Sequence, residues 1–158
     1  MTHLEVELTV VEDQTVFGLS KPSNDRTVAG DVKALSASYH YLLGKAGGEI
    51  LPFFVLSRNY DEATGDFELF VGGLLEAESL KKILLPAGKY AKIVVKPKLR
   101  FLWGPAIGEA KRFLYTKWLP ASGYEPLNLE YESHTGRSTG KNPSIDLYFA
   151  IKEKNPSA

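Results

Sequence analysis

One short segment of the chain places carboxylates and aromatic rings around a single turn. Residues 115–133 read YTKWLPASGYEPLNLEYES, with Tyr115 and Trp118 before the break and Glu130 and Glu132 after it. A carboxylate enclosed among apolar groups favours a positively charged partner and can also transfer protons. The face of an aromatic ring attracts a cation by about 0.5 to 2 kcal/mol. This segment is therefore the first candidate for a site.

The strand that follows the turn alternates apolar and polar residues, so its two faces differ in character. If Leu127, Leu129 and Tyr131 form the apolar side that packs against helices, Glu130 points to the opposite face of the sheet. Which residues of the strand face the helices, here called the phase of the strand, therefore determines what surrounds the carboxylate.

The last strand, SIDLYFAIK, follows the same rule. Its apolar residues are predicted to face the helices, and Asp146 and Tyr148 then join Glu130 on the other face. Two interpretations stay open at this point. The shared face is either an ordinary solvated surface, which periodicity alone favours, or the floor of a site.

The familiar signatures of metal and nucleotide chemistry fail in this sequence. There are no cysteines, and His3, His40 and His134 are not spaced as metal ligands. The stretch GRSTGK, residues 136–141, has too few residues between its glycines for a phosphate loop, so a hairpin loop is predicted there. We therefore expect no metal and no cofactor.

Composition also limits the partners. The chain of 158 residues carries 19 basic and 19 acidic residues, whereas a protein that binds nucleic acid directly usually has a clear basic excess. The N-terminus does not have the pattern of a signal peptide, and no apolar run is long enough to span a bilayer. We expect a cytoplasmic protein that binds neither nucleic acid nor membranes directly.

The order of elements repeats along the chain, reading twice as strand, helix and hairpin. The first helix is predicted to begin near residue 30 and to end at Gly44 or Gly47, and the second starts with Pro105 in its first turn. The segments 21–27 and 77–88 are predicted to be a loop and a connection. This order predicts one α+β domain over residues 1–158, with an antiparallel sheet and helices on one face.

Several segments together resemble a known family. KWLPASGYEP, followed by LNLEYES and SIDLYFAIK, resembles the C-terminal half of the GyrI-like effector-binding domains, which occur fused to AraC-type and MerR-type regulators such as BmrR and as stand-alone proteins. FVLSRNYDEATGDFELFVGG resembles the first hairpin of that family, and LPAGKYAKIVV its strand entering the second half. No DNA-binding domain accompanies these segments, so we expect a stand-alone member.

The resemblance implies two pseudo-symmetric β-α-β-β units with a ligand groove between the halves. In similar proteins a glutamate lies at the floor of an aromatic-lined pocket, and Glu130 matches that position. The expected walls are aromatic: Trp118, Tyr115 and Tyr148 on one side, and Phe53, Phe54 and Phe70 on the other. Because the strand phase is open, only some of the three phenylalanines can face the groove.

Three functions follow from the resemblance. The first is the binding of hydrophobic, often cationic, small molecules such as drugs or toxins. The alternative is a hydrolase that opens the cyclopropane ring of DNA-alkylating natural products, with Glu130 as acid or base. The further alternative is a protein that binds a protein partner, such as a regulator or gyrase, as some family members inhibit gyrase.

Overall fold

The computed structural model describes residues 4–44, 51–98, 103–139 and 141–154. The elements are β1 (Glu7–Val11), β2 (Gln14–Asn24), α1 (Val28–Leu42), β3 (Phe53–Arg58), β4 (Asp66–Gly73), β5 (Lys81–Leu85), β6 (Gly88–Val95), α2 (Trp103–Phe113), α3 (Leu119–Ala121), β7 (Tyr124–His134) and β8 (Ile145–Glu153). A π-helical turn, Leu114–Trp118, joins α2 to α3, and a 3-10 turn, Gly136–Ser138, lies between β7 and β8. None of the described helices is long and apolar enough to cross a lipid bilayer.

The described strands form one antiparallel sheet in the order β1-β6-β8-β7-β3-β4-β2-β5. The units β2-α1-β3-β4 and β6-α2-β7-β8 each contribute three adjacent strands, and the units meet where β3 pairs with β7. The two remaining strands are exchanged, because β1 pairs with the second unit and β5 pairs with the first. The predicted pair of β-α-β-β units and the α+β class are confirmed.

Two segments form strands where the sequence predicted a loop and a connection. Residues 21–24 continue β2 and pair with residues 66–69 of β4. Lys81–Leu85 forms β5, because Ile83 and Leu85 are buried beside β2 and satisfy the alternation of an edge strand. The first helix ends at Leu42, followed by Gly44 at φ 70°, while Gly47 and His3 lie outside the described residues.

The helices cover one face of the sheet with two separate apolar clusters. Under α1, Tyr39 packs with Val55 and Val71, and all three are buried. Under α2, Ala110 packs with Phe149, which is 2% exposed. The gap between these clusters lies over the junction of β3 and β7.

The opposite face of the sheet is also buried, so it is not the solvated surface that periodicity alone favoured. Its core includes Ile83 from β5 and Tyr90 from β6, strands near opposite ends of the sheet order. Side chains so far apart in the order can share one cluster only because the sheet curls. The concave side holds Leu56, Phe70 and Tyr131 in its interior. Both faces of the central strands are therefore apolar.

The predicted phase of β7 is wrong. Glu130 is paired with Phe149 and so points to the helix-covered face, whereas Tyr131 is paired with Tyr148 on the concave side. Asp146 and Tyr148 do not share the face of Glu130. Two causes explain the error: both faces are apolar, and a bulge between Pro126 and Glu130 interrupts the alternation.

Candidate functional site

A groove of about 860 Å³ opens on the helix-covered face, at the junction of the two units. Its floor is formed by the strands β3 and β7, which contribute Ser57 and Glu130, and its walls come from the start of α1 and the end of α2. Other lining residues include Asp25, Tyr60, Phe67, Lys111, Arg112, Tyr115, Leu119 and Leu129. The groove therefore lies between the halves.

The carboxylate of Glu130 accepts two donors from the second helix. The Tyr115 hydroxyl donates to its Oε1 over 2.8 Å, and the Lys111 ammonium lies 2.8 Å from its Oε2. The side chain of Glu130 is 19% exposed and that of Lys111 is 33% exposed. A carboxylate this enclosed needs a counter-charge, and Lys111 supplies it.

The protonation states of the two donors follow from their surroundings. Desolvation of the Tyr115 hydroxyl raises its pKa, and the nearby Glu130 carboxylate raises it further, so this hydroxyl remains a donor. Burial alone would lower the pKa of Lys111, but the carboxylates of Glu130 and Glu132 outweigh it, and the pKa is raised. Lys111 therefore stays an ammonium group at neutral pH.

Helix geometry places both donors over the strand. Lys111 and Tyr115 are four residues apart, so they project from the same side of the helix. The helix widens at this point, because the N–H of Leu119 donates to the carbonyl of Leu114, five residues earlier. The Thr116 hydroxyl bonds the carbonyl of Arg112 over 2.5 Å within the same segment. Single π-helical turns of this kind are frequent at functional sites.

The outer rim of the groove was not predicted from the sequence. The Tyr60 hydroxyl donates to Oδ2 of Asp25 over 2.6 Å, and the Tyr60 ring lies 6.2 Å from that of Phe67. Asp25 and Tyr60 are 35 residues apart in the chain, and no local motif relates them.

Asn128, at the bulge in β7, fixes the position of Tyr60. Its Oδ1 accepts the N–H of Tyr60 over 2.7 Å, and its Nδ2 donates to the Tyr60 carbonyl over 3.0 Å. The residue has φ 58°, a conformation that asparagine adopts more readily than most residues.

Of the predicted site residues, Glu130 and Tyr115 line this groove and the other five do not. Trp118 stacks on Tyr124 at 6.1 Å and packs against the α2 core. Tyr148 stacks on Tyr131 at 4.9 Å on the concave side.

The three predicted phenylalanines are separated from the groove in different ways. Phe53 packs beneath α1, and Phe70 is fully buried in the concave core. Phe54 lies on the concave side, where it and Tyr148 line a smaller cavity of about 280 Å³. In β3, adjacent phenylalanines point to opposite faces, as the alternation of a strand requires.

The groove carries an acidic excess among the described residues that line it. Three carboxylates line it (Asp25, Glu62 and Glu130) against two basic side chains, Lys111 and Arg112. Across the described ranges, no three histidine, aspartate or glutamate side chains converge as metal ligands.

Comparison with known proteins supports this architecture. A sequence model of the Cass2 family, described as integron-associated effector binding protein, matches residues 35–151. No curated protein sequence matches the chain significantly.

Three solved structures share the fold. SAV2435 bound to tetraphenylphosphonium is similar with a TM-score of 0.70 and 12% identity, over 94% of each chain. The EcmrR C-terminal domain is similar with a TM-score of 0.64 and 12% identity, over 97% of this chain and 100% of that one. The Cass2 integron cassette protein of Vibrio cholerae is similar with a TM-score of 0.62 and 12% identity, over 96% of this chain and 100% of that one. The chain therefore belongs to the Cass2 family of integron-associated effector-binding proteins, within the GyrI-like effector-binding domains that its sequence resembles.

Proposed function

We propose that the groove between the two units binds a lipophilic organic cation, with Glu130 as the carboxylate at its floor. The observation that carries the proposal is the position of this enclosed carboxylate in a groove of about 860 Å³ that has more acidic than basic side chains. A neutral or anionic guest would gain nothing from that charge balance.

The walls suit a guest with aromatic rings. Tyr60, Phe67 and Tyr115 line the groove, and Leu119 and Leu129 add apolar surface. Ring faces attract cations by about 0.5 to 2 kcal/mol, in addition to the apolar surface removed from water. SAV2435, which shares the fold, was solved with tetraphenylphosphonium, and that guest has the same chemistry.

The test compares a cation with a neutral molecule of similar shape. Isothermal titration calorimetry would measure the binding of tetraphenylphosphonium and of triphenylphosphine oxide to the wild-type protein and to Glu130→Gln. We expect the substitution to weaken the binding of the cation by about tenfold or more, which is about 1.4 kcal/mol. The binding of the neutral molecule should weaken by less than about threefold.

The matched control is Glu125→Gln. Glu125 is an exposed carboxylate on the same strand, paired with Lys152 at 3.1 Å and absent from the groove lining. This variant should bind both molecules as the wild type does. Equal losses for the cation and the neutral molecule in Glu130→Gln would contradict an electrostatic role for Glu130.

The geometry around Glu130 favours binding over the alternative of ring-opening hydrolysis. Each of its carboxylate oxygens already accepts a donor at 2.8 Å, an arrangement that holds a fixed negative charge. Mass spectrometry of a cyclopropane-containing alkylator after incubation with the protein checks this choice. Faster addition of water with the wild type than with Glu130→Gln would favour the hydrolase instead.

A further inference from the structure

The ammonium group of Lys111 occupies the place that a cationic guest would take. Its Nζ lies 2.8 Å from Oε2 of Glu130, and both residues line the groove. Two cations cannot share one carboxylate oxygen at this distance without repulsion. A guest that pairs with Oε2 of Glu130 must therefore displace Lys111.

A second carboxylate lies within reach of the displaced lysine. Glu132 is two residues further along β7, and it points to the same helix-covered face because it is paired with Leu147. Two residues of a strand span about 6.6 Å, and the flexible four-carbon stem of lysine can cover much of that distance. The charge of Glu132 already acts on Lys111, since it contributes to the raised pKa of the lysine.

The surroundings of Glu132 allow it to receive an ammonium group. Its side chain is 17% exposed, and its Oε1 lies 3.1 Å from Nε2 of His134. Each carboxylate has about four lone-pair positions, so contact with one histidine nitrogen leaves room for Lys111. The charge on the lysine would remain paired in both positions.

We propose that Lys111 is a movable internal counter-ion, which pairs with Glu130 in the empty groove and passes to Glu132 when an organic cation binds. This inference rests on the proposed function and specifies its ligand class. Small hydrophilic cations gain little, because an ammonium group already satisfies Glu130. Large cations that carry several rings gain enough from the walls to displace the lysine.

The first test removes the internal cation. In Lys111→Met, which keeps the length and apolar stem of the side chain, tetraphenylphosphonium should bind about tenfold more tightly by calorimetry, while triphenylphosphine oxide changes by less than threefold. Lys117→Met is the matched control, because Lys117 is an exposed lysine of the adjacent π-helical turn that does not line the groove. It should bind both molecules as the wild type does.

The second test removes the alternative partner of the lysine. Glu132→Gln should weaken the binding of tetraphenylphosphonium about threefold or more, because the β7 carboxylate that would receive Lys111 is then absent. In the double variant Lys111→Met/Glu132→Gln, affinity should equal that of Lys111→Met. Such non-additivity is the signature of coupled residues, and a simple charge effect of Glu132 would instead weaken binding in both backgrounds.

The outcomes separate this inference from the proposed function. If neither the wild type nor Lys111→Met binds tetraphenylphosphonium, the proposed function fails. If the wild type binds it and Lys111→Met binds it equally or more weakly, the movable counter-ion is wrong. Should Lys111→Met fail to fold, as judged by circular dichroism, Lys111→Arg is measured instead. Because arginine pairs more strongly with Glu130, this variant should bind tetraphenylphosphonium about threefold more weakly than the wild type. Unchanged or tighter binding would overturn the inference.

Discussion

At Glu130 the proposed binding of cations depends on which donors contact the carboxylate. Tyr115 and Lys111 contact its two oxygens at the same distance of 2.8 Å, but they differ in what they can do. The hydroxyl of Tyr115 is neutral and its ring forms part of the wall, so it can stay when a cation enters. Lys111 carries a positive charge, which would compete with the proposed cationic guest. Under the proposed function, the affinity for cations would therefore be set by the lysine together with the glutamate.

A second carboxylate, Asp31, holds the rim of the groove in place and gives a pH-dependent prediction. Its oxygens accept donors from Lys21 at 2.7 Å, Ser23 at 2.6 Å and Thr27 at 2.8 Å, which ties the end of β2 to the start of α1 on either side of Asp25. These bonds, with that from Lys21 the largest contribution, lower the pKa of Asp31 from the usual 3.8 to about 2.

The sign of the effect follows from the direction of this shift. A carboxyl whose pKa is lower in the folded state stabilises the fold above its unfolded pKa, and the contribution is lost as the pH falls toward about 2. We expect Asp31→Asn to have a lower Tm than the wild type at pH 7, with the difference shrinking between about pH 4 and pH 2. Thermal unfolding followed by circular dichroism measures it. A difference that does not vary with pH would contradict the assignment.

At the scale of elements, two irregularities build the groove. The π-helical turn Leu114–Trp118 carries Tyr115 over the sheet, and the bulge in β7 turns Asn128 toward Tyr60. Each is a local departure from the regular pattern of its helix or strand. Both irregularities lie at residues that contact the groove.

Substitutions at Asn128 separate the two contributions of this residue. Asn128→Gly and Asn128→Ala both remove the side-chain bonds to Tyr60, but only glycine adopts φ 58° without cost. We expect both variants to be less stable than the wild type, and alanine to be about 1 kcal/mol less stable than glycine. Urea unfolding gives these free energies. Equal stability of the two variants would show that the left-handed backbone carries no cost here.

Over the whole molecule, the two units share one sheet and a continuous concave core. Leu56 of β3 is fully buried and paired with Tyr131 of β7, so it contacts both units. Stability should therefore be a property of the entire domain. The groove depends on this, because its floor is the seam between the units.

Unfolding of Leu56→Ala tests the cooperativity of the halves. The loss of a buried leucine is expected to cost about 2 to 5 kcal/mol. Both tryptophans, Trp103 and Trp118, lie in the second unit, so their fluorescence reports on the half that does not contain Leu56. We expect fluorescence and far-UV circular dichroism to show one coincident transition in urea.

The control for this experiment is Leu74→Ala. Leu74 is 42% exposed, and its truncation should change the stability by no more than about 0.5 kcal/mol. If the dichroism of Leu56→Ala changes at lower urea than the fluorescence, the first unit unfolds separately and the two halves are not one cooperative unit.

The sequence by itself determined the repeated order of elements, the α+β class and, through its resemblance, the family. It also singled out Glu130 and Tyr115, because the helix, the turn and the strand that hold them are close together in the chain. Helical spacing and the turn at Pro120 are local properties, and local properties can be read from one stretch of sequence.

Only the tertiary structure decided which face Glu130 occupies and what surrounds it. Both faces of the central strands are apolar because the sheet curls around a second core, so alternation could not say which face meets the helices. The contacts of Tyr60 with Asp25 and Asn128 join residues 35 and 68 positions apart, which no local pattern relates. Lys111 is a polar residue beside a helix stripe, and its role follows only from the strand beneath it.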